Sequence, residues 1–404
     1  MWYAGIDWAD DHHDAVVVDD AGRVVATLRV AHSVTGLAEL TKAFIQICGP
    51  SAKDQLACFV EINRGVLITA LLEAGFPVYP VNPKTVDRRR NAAGVKTDQV
   101  DAYLLAKTGR SDHSELRRLR PDSPLIQELK ALTRDQDSLI QTQTRLVNQL
   151  TACLKAYYPV ALTLFGKLHQ PSTLAFLRAY PTMQDARTAS VEALTALLKQ
   201  AGHPRAAAAA RTIHQTLQQE QLTADAITTR TKARLMLALL AQVEPLMQQI
   251  ASYDREIERL FLMSADSVLF ASLPRAGKRL APRLLAEIGD DRSRYAEATG
   301  LQALAGTAPV LFQSGNYTKA HRRTACLKPL RNAMQHFAWQ STLQEPWALA
   351  YYQRKRREGK THSVALRTLA NVWLRIIYAM WRDRTPYVSA TFEAAQQHKL
   401  RQAA

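Results

Sequence analysis

A chain of 404 residues is too long for one ordinary domain and points to two or three. With 47% hydrophobic residues it has ample core material, yet no stretch reaches the apolar length of a membrane span and no basic-then-apolar signal opens the chain, so a cytoplasmic protein is expected. The formal charge of +16 is unevenly spread: residues 1–113 hold 12 Lys and Arg against 14 Asp and Glu, whereas 270–386 hold 20 against 7.

In chain order, three β-rich runs come first: Trp2 to Trp8 with Asp7 as its one acid, Ala15 to Val18, and, after the turn Asp19-Asp-Ala-Gly22, Arg23 to Val30. Short apolar runs joined by turn residues read as an antiparallel meander. A helical stretch (Leu37 to Ile47) follows, then an apolar strand (Leu56 to Val60) ending on Glu61, a helix (Val66 to Ala74) and a strand (Pro77 to Val81). Strands alternating with helices after a meander predict an α/β layer with acids at strand ends. The next helix carries Lys96-Thr-Asp98-Gln-Val-Asp101, whose two aspartates, three apart, share one helical face.

Asp7, Glu61, Asp98 and Asp101 thus stand where a ribonuclease-H-type fold would gather divalent metal. An acid inside a buried strand must be paired or metal-bound, because an isolated buried carboxylate is too costly to keep ionised. Hard Mg2+ takes octahedral oxygen ligands and keeps waters for a substrate phosphate, so four carboxylates suit one or two such ions. Taken singly, each acid reads as easily as a structural acceptor or a solvated charge; their order, strand, strand, paired helix, favours the metal. Arg88, Arg89, Arg90 and Lys96 flank the acids and are candidate contacts to a phosphate backbone.

From Pro121 the pattern changes to long helices. Leu125, Leu132, Leu139, Leu146 and Cys153 recur every seven residues, and Leu239, Val243, Leu246, Ile250, Tyr253, Ile257 and Leu260 alternate four and three. Both predict coiled-coil seams, forming either an intramolecular hairpin or, as favoured here, a protruding arm that also supports self-association. Short helices are expected between Pro159 and Pro204. Cys48, Cys58, Cys153 and Cys326 lack any paired spacing, which argues against disulfides and zinc.

The C-terminal part is the basic surface, a footprint that favours polyphosphate partners. Leu273-Pro-Arg-Ala-Gly277 before a helix offers backbone N–H groups to a phosphate, with Lys278 and Arg279 beside it. Gln313-Ser314-Gly315-Asn316 precedes what reads as a basic helix with His321, Arg322, Arg323, Lys328 and Arg331. Trp339, Trp347, Tyr351, Tyr352, Trp373 and Trp381 punctuate later helices, a spacing that is more often core than base stacking.

At Gly5-Ile-Asp7-Trp8, Lys96-Thr-Asp98-Gln-Val-Asp101-Ala102, Gly289-Asp290 and Gln313-Ser314-Gly315 together, the chain resembles the insertion-sequence one-ten family of transposases, the bridge-RNA-guided DEDD serine recombinases. The resemblance spans nearly the whole length. It implies a RuvC-like DEDD catalytic domain (1–113), a helical coiled-coil region (114–264), a basic, mainly helical transposase domain (265–390) and a tail (391–404). It implies that Asp7, Glu61, Asp98 and Asp101 are the catalytic, metal-binding tetrad and that Ser314 is the nucleophile forming a 5′-phosphoserine link to DNA. Donor and target DNA, a noncoding bridge RNA and a homo-oligomer, dimer or tetramer, are the implied partners, and Mg2+ the cofactor.

From the residues alone Ser314 reads as a turn or N-cap serine, and His321 is the nearest base in sequence; activation by the metal-bound tetrad is the more economical expectation. Three rivals remain at this level. A hydrolytic junction nuclease would use the tetrad alone. A sugar-kinase-like ATPase needs a second glycine-rich phosphate loop, and none follows. A nonenzymatic nucleic-acid scaffold leaves the ordered acids unexplained.

Overall fold

A computed structural model describes residues 1–87, 97–315 and 317–391, which form two compact units, Met1–Pro121 and Asp122–Ala404.

The first unit is built on a five-stranded sheet in the order β3-β2-β1-β4-β5. β1 (Trp2–Trp8), β2 (His12–Val18) and β3 (Val24–Ala31) make the expected antiparallel meander. β4 (Leu56–Val60) and β5 (Val78–Pro80) extend it in parallel on the other side of β1. The topology is consistent with a RuvC-like domain. Strand side chains alternate between the two faces. Ala4, Ile6, Ala15, Val17, Leu56, Cys58 and Val60 pack beneath helices Val34–Cys48 and Val66–Glu73. Tyr3, Val16, Val18, Ala57 and Phe59 pack instead against helix Asp98–Asp112 through Ala102, Leu105 and Ala106.

That last helix lies unusually close to the sheet. A Cβ on Gly5 would stand 2.0 Å from the Ala102 carbonyl oxygen and 2.3 Å from the Ala106 nitrogen, and one on Gly109 would enter the Phe59 ring. Glycine at both points lets helix backbone rest directly on strand and ring.

Among the described residues, the second unit is helical apart from one hairpin. Helices Pro124–Tyr157 and Ala226–Met263 run antiparallel: Gln136 Nε2 donates to Asp254 Oδ1 at 2.8 Å, and, farther along, Cys153 Sγ donates to the Lys232 carbonyl at 3.3 Å. The predicted seam of the second helix faces inward, with Leu239, Val243, Ile250, Ile257 and Leu260 buried and Leu246 and Tyr253 half-buried. The predicted seam of the first is displaced. Ile126, Leu129, Leu150, Leu154 and Tyr157 are buried beside Cys153, while Leu125, Leu132, Leu139 and Leu146 are only half-buried. A strict seven-residue row drifts about 20° per heptad around a straight helix. The helix also packs on helix Gly277–Ile288, so its buried stripe follows two neighbours and not one partner.

The helix pair joins two cores. At one end, Tyr157, Leu177, Leu194, Leu198, Ile213 and Met236 bring the short helices between residues 161 and 218 together. At the other end, Leu260, Leu284, Phe337, Trp373 and Trp381 gather the C-terminal helices, so Trp373 and Trp381 are core residues. Cys58 and Cys153 are buried, and all four cysteines are free thiols. No helix among the described residues is long and apolar enough to cross a membrane.

Ion pairs lock the base of the pair. Arg134 clasps the buried Glu287 at 2.7 and 2.8 Å, and Arg283 clasps Asp137 at 2.8 and 2.9 Å. Gly289, at φ 91°, caps helix Gly277–Ile288 so closely that a Cβ there would meet Asp122 Oδ1 at 2.2 Å; Asp290 accepts from the Ser123 N–H at 3.2 Å. The Gly-Asp motif therefore anchors the start of the long helix.

Removing one partner of a buried pair strands the other's charge. Glu287→Ala is expected to destabilise the second unit by about 3 kcal/mol, read as a lower urea midpoint of its unfolding transition with an unchanged slope.

Candidate active site

The turn Ala9-Asp-Asp11 sets the register of β2 on β1, pairing Asp7 with Asp14. Asp7 is the penultimate residue of β1 and partly exposed, not the buried mid-strand acid expected from the apolar run, because β1 runs out one residue later. Glu61 follows the last residue of β4, one step beyond the Ile6–Val60 pair, and so comes level with Asp7 on the neighbouring strand. Helix Asp98–Asp112 starts at Thr97, whose hydroxyl accepts from the Val100 N–H, and Asp98 and Asp101 sit in its first turn. Negative charge is favourable there, where free N–H groups and the helix dipole point outward. Asp101 is buried; Asp98 is half exposed.

The other three acids act on Asp7. Asp7's carboxyl is pushed up to about 6, first by burial and then by the charges of Asp101, Asp98 and Glu61. Like charges held near one another disfavour ionisation, and an oxygen-ligated divalent cation relieves this. Four carboxylates are the oxygen donors that a divalent metal takes, although among the described residues it is His12, Asp14 and Asp98 that bring ligand atoms within 4.8 Å of one another.

Sequence reading missed a second group on the same sheet face. Asp14, buried beside Asp7, receives Arg29 Nε at 3.0 Å and Nη2 at 2.7 Å. His12, two residues before it, places Nε2 3.3 Å from Asp14 Oδ2 and 3.4 Å from Asp98 Oδ2. The signal lay in the hairpin register: a two-residue period from Asp14 through His12 faces the helix that carries Asp98.

The remaining candidates are spread. Arg88, Arg89, Arg90 and Lys96 lie outside the described residues. Lys278 pairs with Glu258 at 2.7 Å and Arg279 clasps Asp254 at 2.8 and 2.7 Å, each retaining an exposed flank. Ser314 ends strand β6 (Val310–Ser314) at the tip of an exposed hairpin with β7 (Tyr317–His321). The expected basic helix over 321–331 is corrected here. His321 closes β7, Arg322 and Arg323 lie in the following loop, and only Lys328 and Arg331 are on a helix, Lys328–Ser341, which starts where Pro329 suits the first turn. His321 pairs with Val310, at the opposite end of the hairpin from Ser314. Four residues of strand separate them by about 13 Å, so proximity in sequence does not make His321 the base.

The described geometry combines a mixed sheet with clustered acids and a basic second unit. Two family models match it: a DEDD transposase model over residues 4–159 and the "Transposase IS116/IS110/IS902 family" model over 267–353. A putative mini-circle transposase for IS117 of Streptomyces coelicolor is 34% identical over 385 residues, 92% of each chain. The chain belongs to the IS110 transposase family. An uncharacterized 42 kDa protein of insertion element IS900 from Mycobacterium paratuberculosis is 30% identical, covering 97% of this chain and 98% of its own. One from IS116 of Streptomyces clavuligerus is 28% identical over 96% of both. The chain is thus a transposase of a mobile element, acting on DNA.

Two expectations follow for this site. Folding raises the Asp7 pKa above its ordinary 3.8, so the group favours the fold fully below about pH 3.8 and loses that contribution as pH rises through about 6. In EDTA at neutral pH, Asp7→Asn is expected to raise the melting temperature of the first unit by a few degrees and to flatten its decline between pH 4 and 6; an unchanged pH profile contradicts the crowding. Gly5→Ala must push helix Asp98–Asp112 off β1, costing roughly 1–3 kcal/mol, and is expected to weaken Mn2+ binding although no ligand is altered, as calorimetric titration would show.

Proposed function

We propose that the chain is a site-specific DNA recombinase that moves its own element by metal-assisted, serine-mediated strand exchange. The observation that supports this reading is that Glu61, Asp98 and Asp101 all lie near enough to Asp7 to raise its carboxyl pKa, in a family whose members are transposases. These four would hold one or two Mg2+ ions, which supply Lewis-acid stabilisation of charge developing on a phosphate.

Ser314 Oγ attacks the scissile phosphorus, forming the serine–phosphate ester as the bond to the 3′ oxygen breaks. The serine proton is lost to a base, and the departing 3′ oxygen takes up a proton. The ester conserves the phosphodiester's energy, so attack by an exchanged 3′ hydroxyl re-forms the DNA backbone and restores the serine without an external energy source. Placement of Ser314 at an exposed hairpin tip, next to Gly315 at φ 57°, supports access to a bulky duplex. Arg322, Arg323, Lys328 and Arg331, with Lys278 and Arg279, hold phosphates, as do Arg88, Arg89, Arg90 and Lys96 near the tetrad. Contacts of this kind set affinity and register, and sequence choice falls to a bridge RNA paired with donor and target DNA. The working form is a dimer or tetramer.

End-labelled DNA incubated with protein, the noncoding RNA flanking the reading frame and Mg2+ tests the chemistry. Label should migrate with denatured protein and vanish on protease treatment. Ser314→Ala is expected to lose both adduct and recombination while still binding DNA; adduct surviving in this variant, or free cut ends as the only wild-type product, makes the chain a hydrolytic nuclease instead. Asp101→Asn should abolish cleavage at saturating Mg2+. Arg322→Ala should weaken binding and lower the log–log salt slope by about one, with target preference unchanged.

A further inference from the structure

Asp98 is the most exposed acid of the tetrad. It heads its helix, and its side chain is 53% exposed, where Asp101 is buried. An exposed carboxylate must be ordered before it can ligate, which costs binding energy. The sheet beneath it supplies what would order it. Asp14 sits between Asp7 and Arg29 in a row across three strands, by the pairings Asp7–Asp14 and Asp14–Arg29. Arg29 grips both Asp14 oxygens, and its Nη2 reaches to 3.9 Å from Asp98 Oδ2. The His12 ring is fixed at its other nitrogen, Nδ1 lying 2.7 Å from Asp11 Oδ1, while Nε2 stands in ion-pair range of both Asp14 and Asp98 without completing a hydrogen bond to either.

We propose that His12 and Arg29, anchored on Asp14, are positioning residues that hold the Asp98 carboxylate through Oδ2 and thereby set the metal affinity of the tetrad. The proposal rests on reading the tetrad as the metal centre. Both contacts run to Oδ2, so Oδ1 stays outside the bracket. Outer partners of ligating carboxylates commonly govern affinity in this way, fixing orientation before the cation arrives. His12, Asp14 and Asp98 also place one ligand atom each within 4.8 Å of one another, the spacing of a separate metal site. The guanidinium already clasping Asp14 argues against that use, since a cation there would meet Arg29 at close range with its ligand oxygens engaged.

The test is Mn2+ binding to the full-length protein, followed by the electron paramagnetic resonance signal of free Mn2+, with melting curves in EDTA to verify folding. His12→Ala is expected to weaken binding roughly tenfold. His12→Gln, whose amide nitrogen reaches about as far as Nε2, should recover most of it. His12→Ala alters none of the four acids, so weakening reports lost positioning of Asp98. A positioning residue acts through its ligand: in the Asp98→Asn background, His12→Ala should produce no further change. Equal weakening in both backgrounds, or unchanged binding in His12→Ala, overturns the bracket. Loss of one whole Mn2+ equivalent in His12→Ala overturns it too, making His12 a ligand. If Asp98→Asn alone leaves Mn2+ binding intact, it is the tetrad reading that fails.

Discussion

The close approach of helix Asp98–Asp112 to β1 is the constraint on which the candidate site depends. With glycine at position 5, the helix backbone at Ala102 and Ala106 rests on strand backbone with no side chain between. Ala102 and Ala106 are themselves small and fully buried. Any larger residue at Gly5 would lift the helix, and with it both acids of its first turn, away from Asp7. Packing two layers of apolar side chains thus fixes the separation of charged groups at the sheet's end. The site is a by-product of how tightly the core closes.

Charge is the cost of that arrangement. Burial and the neighbouring Asp101, Asp98 and Glu61 raise the energy of the ionised Asp7 carboxyl, as its upward shift records. Asp14, a fifth acid on the same face, is relieved by Arg29, and His12 stands between it and Asp98.

The second unit solves a different problem. A pair of long helices has little core of its own, and here each end is stabilised by a separate cluster of shorter helices. At the base, bidentate arginine–carboxylate pairs and the Gly289–Asp122 contact fix the long helix to its neighbours. Directional, geometrically demanding contacts of this sort hold orientation better than apolar packing alone. The exposed hairpin bearing Ser314 projects from the same cluster of elements, between helices Ala298–Leu304 and Lys328–Ser341 in the chain.

The sequence by itself determined the elements of the first unit, because two-residue alternation and glycine-bearing turns mark strands locally, and it placed Glu61 at the end of its strand and Asp98 and Asp101 on one helical face. It also determined the inward seam of the second long helix, where the four-and-three spacing is regular. Tertiary structure decided what depends on register and on second neighbours. The pairing of Asp14 with Asp7 and Arg29 is a property of three strands, invisible in any one of them. The first long helix buries a stripe shifted from its leucine row because it answers to two packing partners. His321 is seven residues from Ser314 in sequence but at the far end of a hairpin, since an extended strand carries its residues away from the turn at about 3.3 Å each. Periodicity is local physics and can be read from the chain; which charges meet is settled only when separate elements pack.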